Sequence, residues 1–349
     1  MRRGGPRGGS GRVSGSATIR ILPAEEIAAR AGGSTPFLVW PERTTVFAER
    51  SMRLVQRSRG HAMGDYLAFA ARIAAAQQAA LVAMPAVALP DAAQLARAHA
   101  SGLPPLPARD WPRDGAWRGA VASIAAAVAP HAPEAARTAL GAIASWSVDA
   151  LEAQADALLE RTPTGLDFAA APIVAAGLQV YWTHLLLSTR ARVGELGDPV
   201  RRIHDDAACP CCGSPPVASI TRSSGESLGQ RYLHCALCSL QWHVSRSKCP
   251  RCGVEGRLAF QSLDPAGSDD AEGGARAAQA AVQAESCDAC HHYLKIVHTD
   301  RDPQVDPVAD DLASVALDLL VAETGLARHG LNYLLLFGEG PPDPDEGGA

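Results

Sequence analysis

Eight cysteines in the second half of the chain are spaced in a way that suits metal binding. They form four C-x-x-C pairs, namely Cys209/Cys212, Cys235/Cys238, Cys249/Cys252 and Cys287/Cys290. Two intervening residues let a tight turn direct both sulfurs at one ion, so each pair can supply half of a tetrahedral four-thiolate site. One such pair is weak support, whereas four within one region predict two metal ions, each held by four cysteines.

The order of the pairs indicates how they combine. A Cys-Pro-x-Cys-Gly knuckle occurs at Cys209–Gly213 and again at Cys249–Gly253, and each knuckle is followed by a plain C-x-x-C pair. This repeated order predicts an internal duplication with two successive sites. The alternative is an interleaved arrangement, in which the first and third pairs share one ion. Successive sites close shorter loops and cost less chain entropy, so we expect them.

Metal binding by the eight paired cysteines is favoured over a redox dithiol, and the nearby histidines and Cys211 are not predicted to be ligands. A thioredoxin-like dithiol needs a C-x-x-C pair at a helix N-terminus within a βαβ frame, and the sequence around these pairs does not predict one. Eight cysteines complete two tetrahedra, so the nearby histidines are predicted to be packing or surface groups: His234, His243, His291, His292 and His298. Cys211 lies inside the first knuckle and is expected to be an unliganded, partly exposed thiol.

Four thiolates around one divalent ion carry excess negative charge, which is costly to desolvate unless cations or hydrogen-bond donors lie nearby. The candidate cations are Arg222, Arg231, Lys248, Arg251 and Lys295. Lys248 and Lys295 are the only lysines in the chain, and both stand near a cysteine pair.

Composition narrows the classes of function. The chain has 349 residues, of which 47% are hydrophobic, and a formal net charge of -5. These values exclude a wholly disordered chain and give no overall attraction to nucleic acid or to an anionic membrane. Residues 1–18 lack the apolar segment of a secretory signal, so we expect reduced cysteines and a cytoplasmic protein.

One uncharged stretch, Phe168–Thr189, is long enough to span a bilayer. Pro172, Gly177 and Gln179 interrupt it with residues that suit a buried helix better than a lipid-facing one. We therefore expect a core helix and no stable membrane insertion.

The residues before the first knuckle predict an α-helical domain. Asp65 is a plausible N-cap for a helix whose core face has helical spacing. That face comprises Tyr66, Phe69, Ile73, Ala76 and Ala80. A second helix is predicted over Ala135–Leu159, and the uncharged stretch supplies a third.

The cysteine region has short strand-like runs, such as Pro216–Thr221 and Tyr293–His298. After it, Asp306 and Pro307 predict the start of a last helix, which Gly325 can end. Its predicted apolar stripe is Val308, Leu312, Val315 and Leu319. Two acids in its first turns, Asp310 and Asp311, are expected to favour the helix dipole, with contact to a partner as the alternative.

These elements predict an α-helical N-terminal domain, two small rubredoxin-like or zinc-ribbon-like four-cysteine modules, and a C-terminal helix. The predicted segments are a disordered leader (1–17), the helical domain (18–205), the first module (206–248), the second module (249–303) with a mobile loop (264–280), the C-terminal helix and packing segment (304–337) and a disordered tail (338–349).

Longer motifs occur around the cysteine pairs and elsewhere in the chain: Ile19-Arg-Ile-Leu22, Gly64-Asp-Tyr-Leu67, Arg231-Tyr-Leu-His-Cys235, Trp242-His243-Val244, Glu285-Ser-Cys287, Tyr293-Leu-Lys-Ile296, Val308-Ala-Asp-Asp-Leu-Ala-Ser314 and Gly338-Glu-Gly340. Together they resemble the formate dehydrogenase accessory protein family, FdhE, over nearly the whole chain. The chain departs from the family in its Gly/Arg leader, its acidic loop and Cys211, none of which removes a predicted ligand.

The resemblance implies a cytoplasmic accessory protein that acts on the catalytic subunit of a respiratory formate dehydrogenase and helps it become active before export. It also implies iron at the two cysteine sites, with zinc as the alternative metal. The implied architecture is the one that the cysteine order and the helical pattern predict.

The sequence contains no Ser/His/Asp order, phosphate-binding loop or dinucleotide-binding glycine motif that stands out, so we expect no catalytic residues and a protein that docks on its client. Two other classes stay open. An iron tetrathiolate could transfer electrons to the client, which zinc could not do. A nucleic-acid-binding zinc ribbon would need clustered cations and exposed aromatics, and only Arg246, Lys248 and Arg251 near Trp242 hint at them.

Overall fold

Most of the helices precede most of the strands along the chain. A computed structural model of the protein describes Met1 and residues 35–194, 198–224, 227–263 and 278–336. The described residues from Thr35 onward belong to one compact unit. Most of the predicted leader, the tail 338–349 and residues 264–277 of the predicted loop lie outside the described residues.

Alanine-rich segments broken by proline and glycine form the helices of the N-terminal part. They are α1 Val46–Ser58, α2 Gly64–Ala83, α3 Ala92–Ala100, α4 Ala116–Val128, α5 Glu134–Ser145, α6 Val148–Glu160 and α7 Ala171–Val193. A 3₁₀ turn, Ala129–His131, follows α4. The predicted helical N-terminal region is confirmed.

Helix α2 does not use the predicted cap. It begins at Gly64 with Met63 in the N-cap position, and Asp65 lies in its first turn. A preceding turn replaces the side-chain cap, because the His61 carbonyl accepts the Gly64 N–H at 2.9 Å. The predicted core face is buried at Phe69, Ile73, Ala76 and Ala80, and half-buried at Tyr66.

The predicted helix over Ala135–Leu159 is two helices, α5 and α6. The backbone is extended at Trp146, and the Ser147 side chain accepts the Ala150 N–H as the N-cap of α6. Serine favours this capping geometry over a helix interior, which explains the break.

Helix α7 is the core helix that the uncharged stretch predicts. It is buried along most of its length. Gly177 lets it approach α4 closely, because a Cβ there would meet Val121 Cγ2 at 2.3 Å. Within the described residues, α2 is long and apolar enough to cross a membrane, and half of its apolar window is buried inside the protein.

The strands form one mixed sheet. They are β1 Leu38–Val39, β2 Pro216–Ser224, β3 Ser227–Cys235, β4 Gln241–His243, β5 Leu258–Gln261, β6 Val282–Cys287, β7 His292–His298 and β8 Ala327–Arg328. Their order is β1-β4-β3-β2-β7-β6-β5, with β8 beside β7. The first module contributes β2–β4 and the second contributes β5–β7, and each set is antiparallel within itself.

A parallel pairing of β2 with β7 joins the two modules, with Ser219 opposite Ile296. Strand β1, from the segment before α1, adds to the far edge beside β4. The two modules therefore share one sheet, which the cysteine order does not predict.

The predicted C-terminal helix is also two short helices, α8 Pro307–Leu312 and α9 Val315–Ala322. Asp306 caps α8 as predicted and accepts the N–H groups of Val308 and Ala309. Ser314 interrupts the helix, because its hydroxyl donates back to the Asp310 carbonyl at 2.7 Å. The break changes the buried face of α9, so Leu319 is 64% exposed and Leu317 is buried.

Candidate metal centres

The sulfurs of the eight paired cysteines converge in two clusters. Within each cluster all four Sγ atoms lie within 4.8 Å of one another. The clusters are Cys209, Cys212, Cys235 and Cys238, and Cys249, Cys252, Cys287 and Cys290. The grouping is successive, as the repeated order predicts, and the interleaved alternative is not formed.

The spacing of the sulfurs fits a tetrahedral metal site. In the first cluster the Sγ atoms of Cys209 and Cys238 are 3.6 Å apart. In the second, Cys249 and Cys290 are separated by 3.8 Å. A tetrahedron with metal–sulfur bonds of about 2.3 Å has sulfur–sulfur edges of about 3.8 Å. Both the distances and the all-sulfur donor set therefore suit one ion per cluster, and zinc and iron both accept four thiolates.

The two knuckles have the same backbone geometry. In the first, the Gly213 N–H donates to the Cys209 carbonyl at 2.8 Å, and in the second the Gly253 N–H donates to the Cys249 carbonyl at 3.1 Å. Both glycines are left-handed, with φ of +73° and +74°. A side chain at either position would be strained, so glycine is what lets each turn close around its sulfurs.

The second pair of each cluster repeats a different turn. Cys235 ends β3 and Cys287 ends β6. In both turns the residue after the last cysteine is left-handed, Ser239 with φ +59° and His291 with φ +53°. The Cys235 sulfur also accepts the backbone N–H of Cys238 at 3.4 Å. The internal duplication predicted from the cysteine order is thus present in the backbone.

The first cluster is tied to the helical part of the protein. All four of its cysteines are buried. The Ala108 N–H donates to the Cys212 carbonyl at 2.9 Å. From α7, the Gln179 side chain donates to the Ala236 carbonyl at 2.7 Å. Helices and first cluster therefore belong to one core.

The second cluster reaches the surface. Cys252 is exposed and Cys290 is half-buried. The backbone N–H of Val254 holds the pKa of the Cys252 thiol down, to about 7. Three large apolar residues nearby in the chain are also exposed, with fractions of 40% for Val254, 50% for Phe260 and 40% for Leu263.

Three family models match consecutive parts of the chain. They are FdhE, N-terminal, over residues 35–194, FdhE, central domain, over 208–246, and FdhE, C-terminal domain, over 247–335. The chain belongs to the FdhE family. The central model contains the first cysteine cluster, and the C-terminal model contains the second.

Individual FdhE proteins agree with this assignment. The chain is 36% identical to Protein FdhE of Escherichia coli K12 over 328 residues, which is 93% of this chain and 99% of that protein. The FdhE protein of Escherichia coli O9:H4 is equally similar, with the same identity of 36%. A crystal structure of the FdhE protein from Pseudomonas aeruginosa superposes with a TM-score of 0.74 at 37% identity, covering 87% of this chain and 100% of that one.

Cys211 differs from its prediction in one respect. In this FdhE chain it lies outside both clusters, as expected, but it is 0% exposed and not partly exposed. The Leu106 N–H donates to its carbonyl at 3.0 Å and covers the knuckle. Burial raises the pKa of the Cys211 thiol.

The histidines near the clusters bind other groups, which supports the packing interpretation. His234 Nδ1 lies 3.1 Å from the Gln241 amide nitrogen, and His298 Nε2 lies 3.0 Å from Gln283 Oε1. His292 Nδ1 contacts the Cys290 carbonyl and not its sulfur. Both FdhE clusters consist of cysteines alone.

Most of the predicted charge-compensating cations are bound by oxygen atoms. The Arg222 Nε donates to Gln241, the Arg231 guanidinium pairs with Glu285, the Lys248 ammonium with Asp206 and the Lys295 ammonium with Asp318. Arg251 contributes through its backbone, whose N–H donates to the Cys249 sulfur at 3.5 Å. Backbone N–H groups, more than cations, therefore face the sulfurs.

Asp310 lies in the first turn of α8, as the helix-dipole interpretation predicts, and its carboxylate accepts the Asp306 N–H at 2.9 Å. The alternative, contact with a partner, is wrong, because both acids are fully buried in ion pairs. Arg53 Nη2 lies 2.7 Å from Asp310 Oδ1. Arg328 Nη2 lies 2.7 Å from Asp311 Oδ2, and Lys295 Nζ lies 3.4 Å from Asp311 Oδ1. Burial opposes ionisation of Asp311, but the two cations outweigh it and lower the pKa of that carboxyl. The sequence signal for these pairs is two adjacent acids inside an apolar helical segment.

Proposed function

We propose that this protein is a cytoplasmic, non-catalytic accessory protein that binds the immature catalytic subunit of a respiratory formate dehydrogenase before export. Membership of the FdhE family, a family of formate dehydrogenase accessory proteins, carries this proposal, since the match extends over 93% of the chain. The binding step, its timing and the compartment follow the family resemblance and are the parts that experiment has to test.

Each cysteine cluster holds one metal ion in this proposal, iron or zinc. The ligands are the eight cysteines already described, whose convergence supports ligation. A bound ion crosslinks a knuckle to the end of a strand, which fixes the turns at one edge of each module. The chain's residues then present a rigid surface to the client.

The surface around the second cluster is the proposed contact with the catalytic subunit. Val254, Phe260 and Leu263, which follow the exposed Cys252 in the chain, supply exposed apolar area. Strand β5 is the last strand of the sheet as described, so its outer edge can pair with an extended segment of the client.

Deletion of the gene is expected to abolish respiratory formate dehydrogenase activity while the enzyme's transcript persists. Tagged protein should co-purify with a precursor of the catalytic subunit trapped in the cytoplasm.

The Phe260→Asp variant, returned to the deletion strain, should restore less formate dehydrogenase activity than the wild-type protein and should co-purify with less of the catalytic subunit. Leu103→Asp is the matched control, because Leu103 is 56% exposed but lies in the helical part, and it should behave as wild type. Normal activity in the deletion strain would refute the proposal.

Electron transfer by an iron tetrathiolate is the second candidate function. The exposure of Cys252 favours it, because an electron can leave a cluster only if a partner approaches closely. Anaerobic purification with metal analysis and an optical spectrum tests it. Iron with colour that a reductant bleaches would support it, and zinc in both sites would end it.

The nucleic-acid-binding hypothesis needs an exposed aromatic residue, and its candidate, Trp242, is buried. Trp242 is 2% exposed, and its Nε1 donates to the Asp206 carbonyl at 2.9 Å. Its ring is therefore not available for stacking on bases, which single-strand recognition uses. We do not propose this function further.

A further inference from the structure

A cavity of about 740 Å³ lies between helix α1 and strands β2–β4. The segment that leads into α8 closes another side. Its volume falls in the range of small-molecule sites, about 300–1,000 Å³. None of the eight clustered cysteines lines it, so the cavity is distinct from the candidate metal centres.

A chain of hydrogen bonds fixes the proton of a buried histidine in this cavity. Arg222 Nε donates to Gln241 Oε1 at 2.7 Å, which orients the amide. The amide nitrogen of Gln241 then donates to His234 Nδ1 at 3.1 Å. Because Nδ1 accepts, the proton of the neutral ring resides on Nε2. His234 lines the cavity and is 4% exposed, and its buried Nε2 has no hydrogen-bond partner, so a donor without a partner lies in the cavity wall.

Arg50 supplies a second unused donor. It is 2% exposed, and its Nε has no hydrogen-bond partner. The nearest carboxylate, Asp306, lies 3.5 Å from that nitrogen. The same Asp306 oxygen already accepts two backbone N–H groups as the cap of α8. A buried guanidinium with so loose a partner gains strongly from an acceptor that enters the cavity.

The charges of the lining disfavour a ligand that carries several negative charges. Three arginines and three acids line the cavity: Arg50, Arg53, Arg222, Glu42, Glu49 and Asp306. These charges balance, so a polyanion would meet carboxylates as well as cations. The walls also carry apolar residues, including Trp40, Ile220 and Val305, that can cover a hydrocarbon group.

We propose that this cavity binds a carboxylate carried on an apolar group, with Arg50, Arg222 and His234 Nε2–H as its donors. The carboxylate belongs either to a free small molecule or to a polypeptide, such as an acidic side chain or the C-terminus of the catalytic subunit. The site stands independently of the proposed function, because its donors and its cavity belong to this chain alone.

Phenylacetate is a suitable probe, titrated into the full-length, metal-loaded protein and followed by ligand-observed NMR. Saturable binding is expected, and the uncharged phenylacetamide should bind at least about tenfold more weakly, since it lacks the charge-assisted hydrogen bonds. Inorganic phosphate should bind more weakly than phenylacetate. Equal binding of acid and amide, preferred binding of phosphate, or no saturable binding would overturn the proposal.

Variants locate the binding. Arg222→Gln should weaken phenylacetate binding at least about tenfold, because it removes a charged donor. Arg97→Gln, on the exposed face of α3, is the matched control and should leave binding unchanged. Gln241→Glu is an independent variant, since a carboxylate there cannot donate to His234 and adds negative charge, and it should also weaken binding. Unchanged affinity in both cavity variants, with metal content and fold retained, would overturn the site.

A competition experiment separates the two sources of carboxylate. If saturating phenylacetate weakens the affinity of the protein for the catalytic subunit, the subunit supplies the carboxylate. If saturating phenylacetate leaves the affinity of the protein for the subunit unchanged, the cavity serves a free small carboxylate. A failure of the subunit to bind at all would refute the proposed function, while the titration would still decide the carboxylate site.

Discussion

The two cysteine clusters have the same backbone and different surroundings. All four cysteines of the first cluster are buried, and they belong to the same hydrophobic core as Trp182 and Leu185 of α7. In the second, Cys252 is exposed and Cys290 is half-buried. The first of the two duplicated units is thus part of the main hydrophobic core, and the second lies at the edge of the sheet.

This difference predicts different consequences of metal binding. An ion in the first cluster lies where helices and sheet meet, so the free energy of binding contributes to the folding of the whole unit. An ion in the second cluster stabilises only the strands and turns around it. A partner can therefore contact the second cluster without destabilising the rest of the fold.

The largest expected effect is that of removing the first metal. Cys209→Ser combined with Cys212→Ser should lower the free energy of unfolding by about 5–15 kcal/mol, which is comparable with the whole stability of a domain. Little soluble protein is expected, and the remainder should be digested in its helical part by limited proteolysis.

The matched variant is Cys249→Ser combined with Cys252→Ser. It should lose one ion by metal analysis and become protease-sensitive between Cys249 and Cys290, while the helical part stays protected. Digestion of the helices in this variant, or their protection in the first, would remove the distinction between the clusters.

The next effect concerns what holds the second module besides its metal. Lys295 on β7 is fully buried between Asp311 and Asp318. Lys295→Met leaves these buried acids with one cation fewer. It should lower the free energy of unfolding, measured in urea, by about 3–5 kcal/mol.

The other lysine of the chain is the control for that variant. Lys248 pairs with Asp206 at the surface, and its side chain is 31% exposed. Lys248→Met should cost less than about 1 kcal/mol. Equal losses in the two variants would show that the buried ion pairs do not fix the second module.

The smallest effect is expected at Cys211. Cys211→Ala should keep both ions and lower the free energy of unfolding by about 1 kcal/mol, since it removes one buried sulfur that contacts Cys238 but belongs to neither cluster. In the folded wild-type protein, iodoacetamide should not label Cys211, because the thiol is buried. Labelling before unfolding, or loss of an ion in the variant, would contradict its assignment as a buried bystander.

The grouping of the cysteines could be predicted from sequence because it depends on local features. Each knuckle needs its glycine and its two-residue spacing, and short loops decide which pairs meet. The caps at Asp306 and the central helix α7 could be predicted for the same reason, since they depend on nearby residues.

Features that depend on residues far apart in the chain could not be predicted. Asp310 and Asp311 look like ordinary first-turn acids until the fold brings Arg53, Lys295 and Arg328 to them. The burial of Cys211 likewise depends on the Leu106 segment, and the single sheet depends on the pairing of β2 with β7.

The contrast between the clusters is tested most directly by stepwise chelation of the anaerobically purified protein, with metal counts and hydrogen–deuterium exchange at each step. We predict that the second metal leaves first, with loss of protection only in β5–β7 and their turns. Removal of the first metal should coincide with loss of protection in α4 and α7. Departure of the first metal while those helices stay protected would contradict the account.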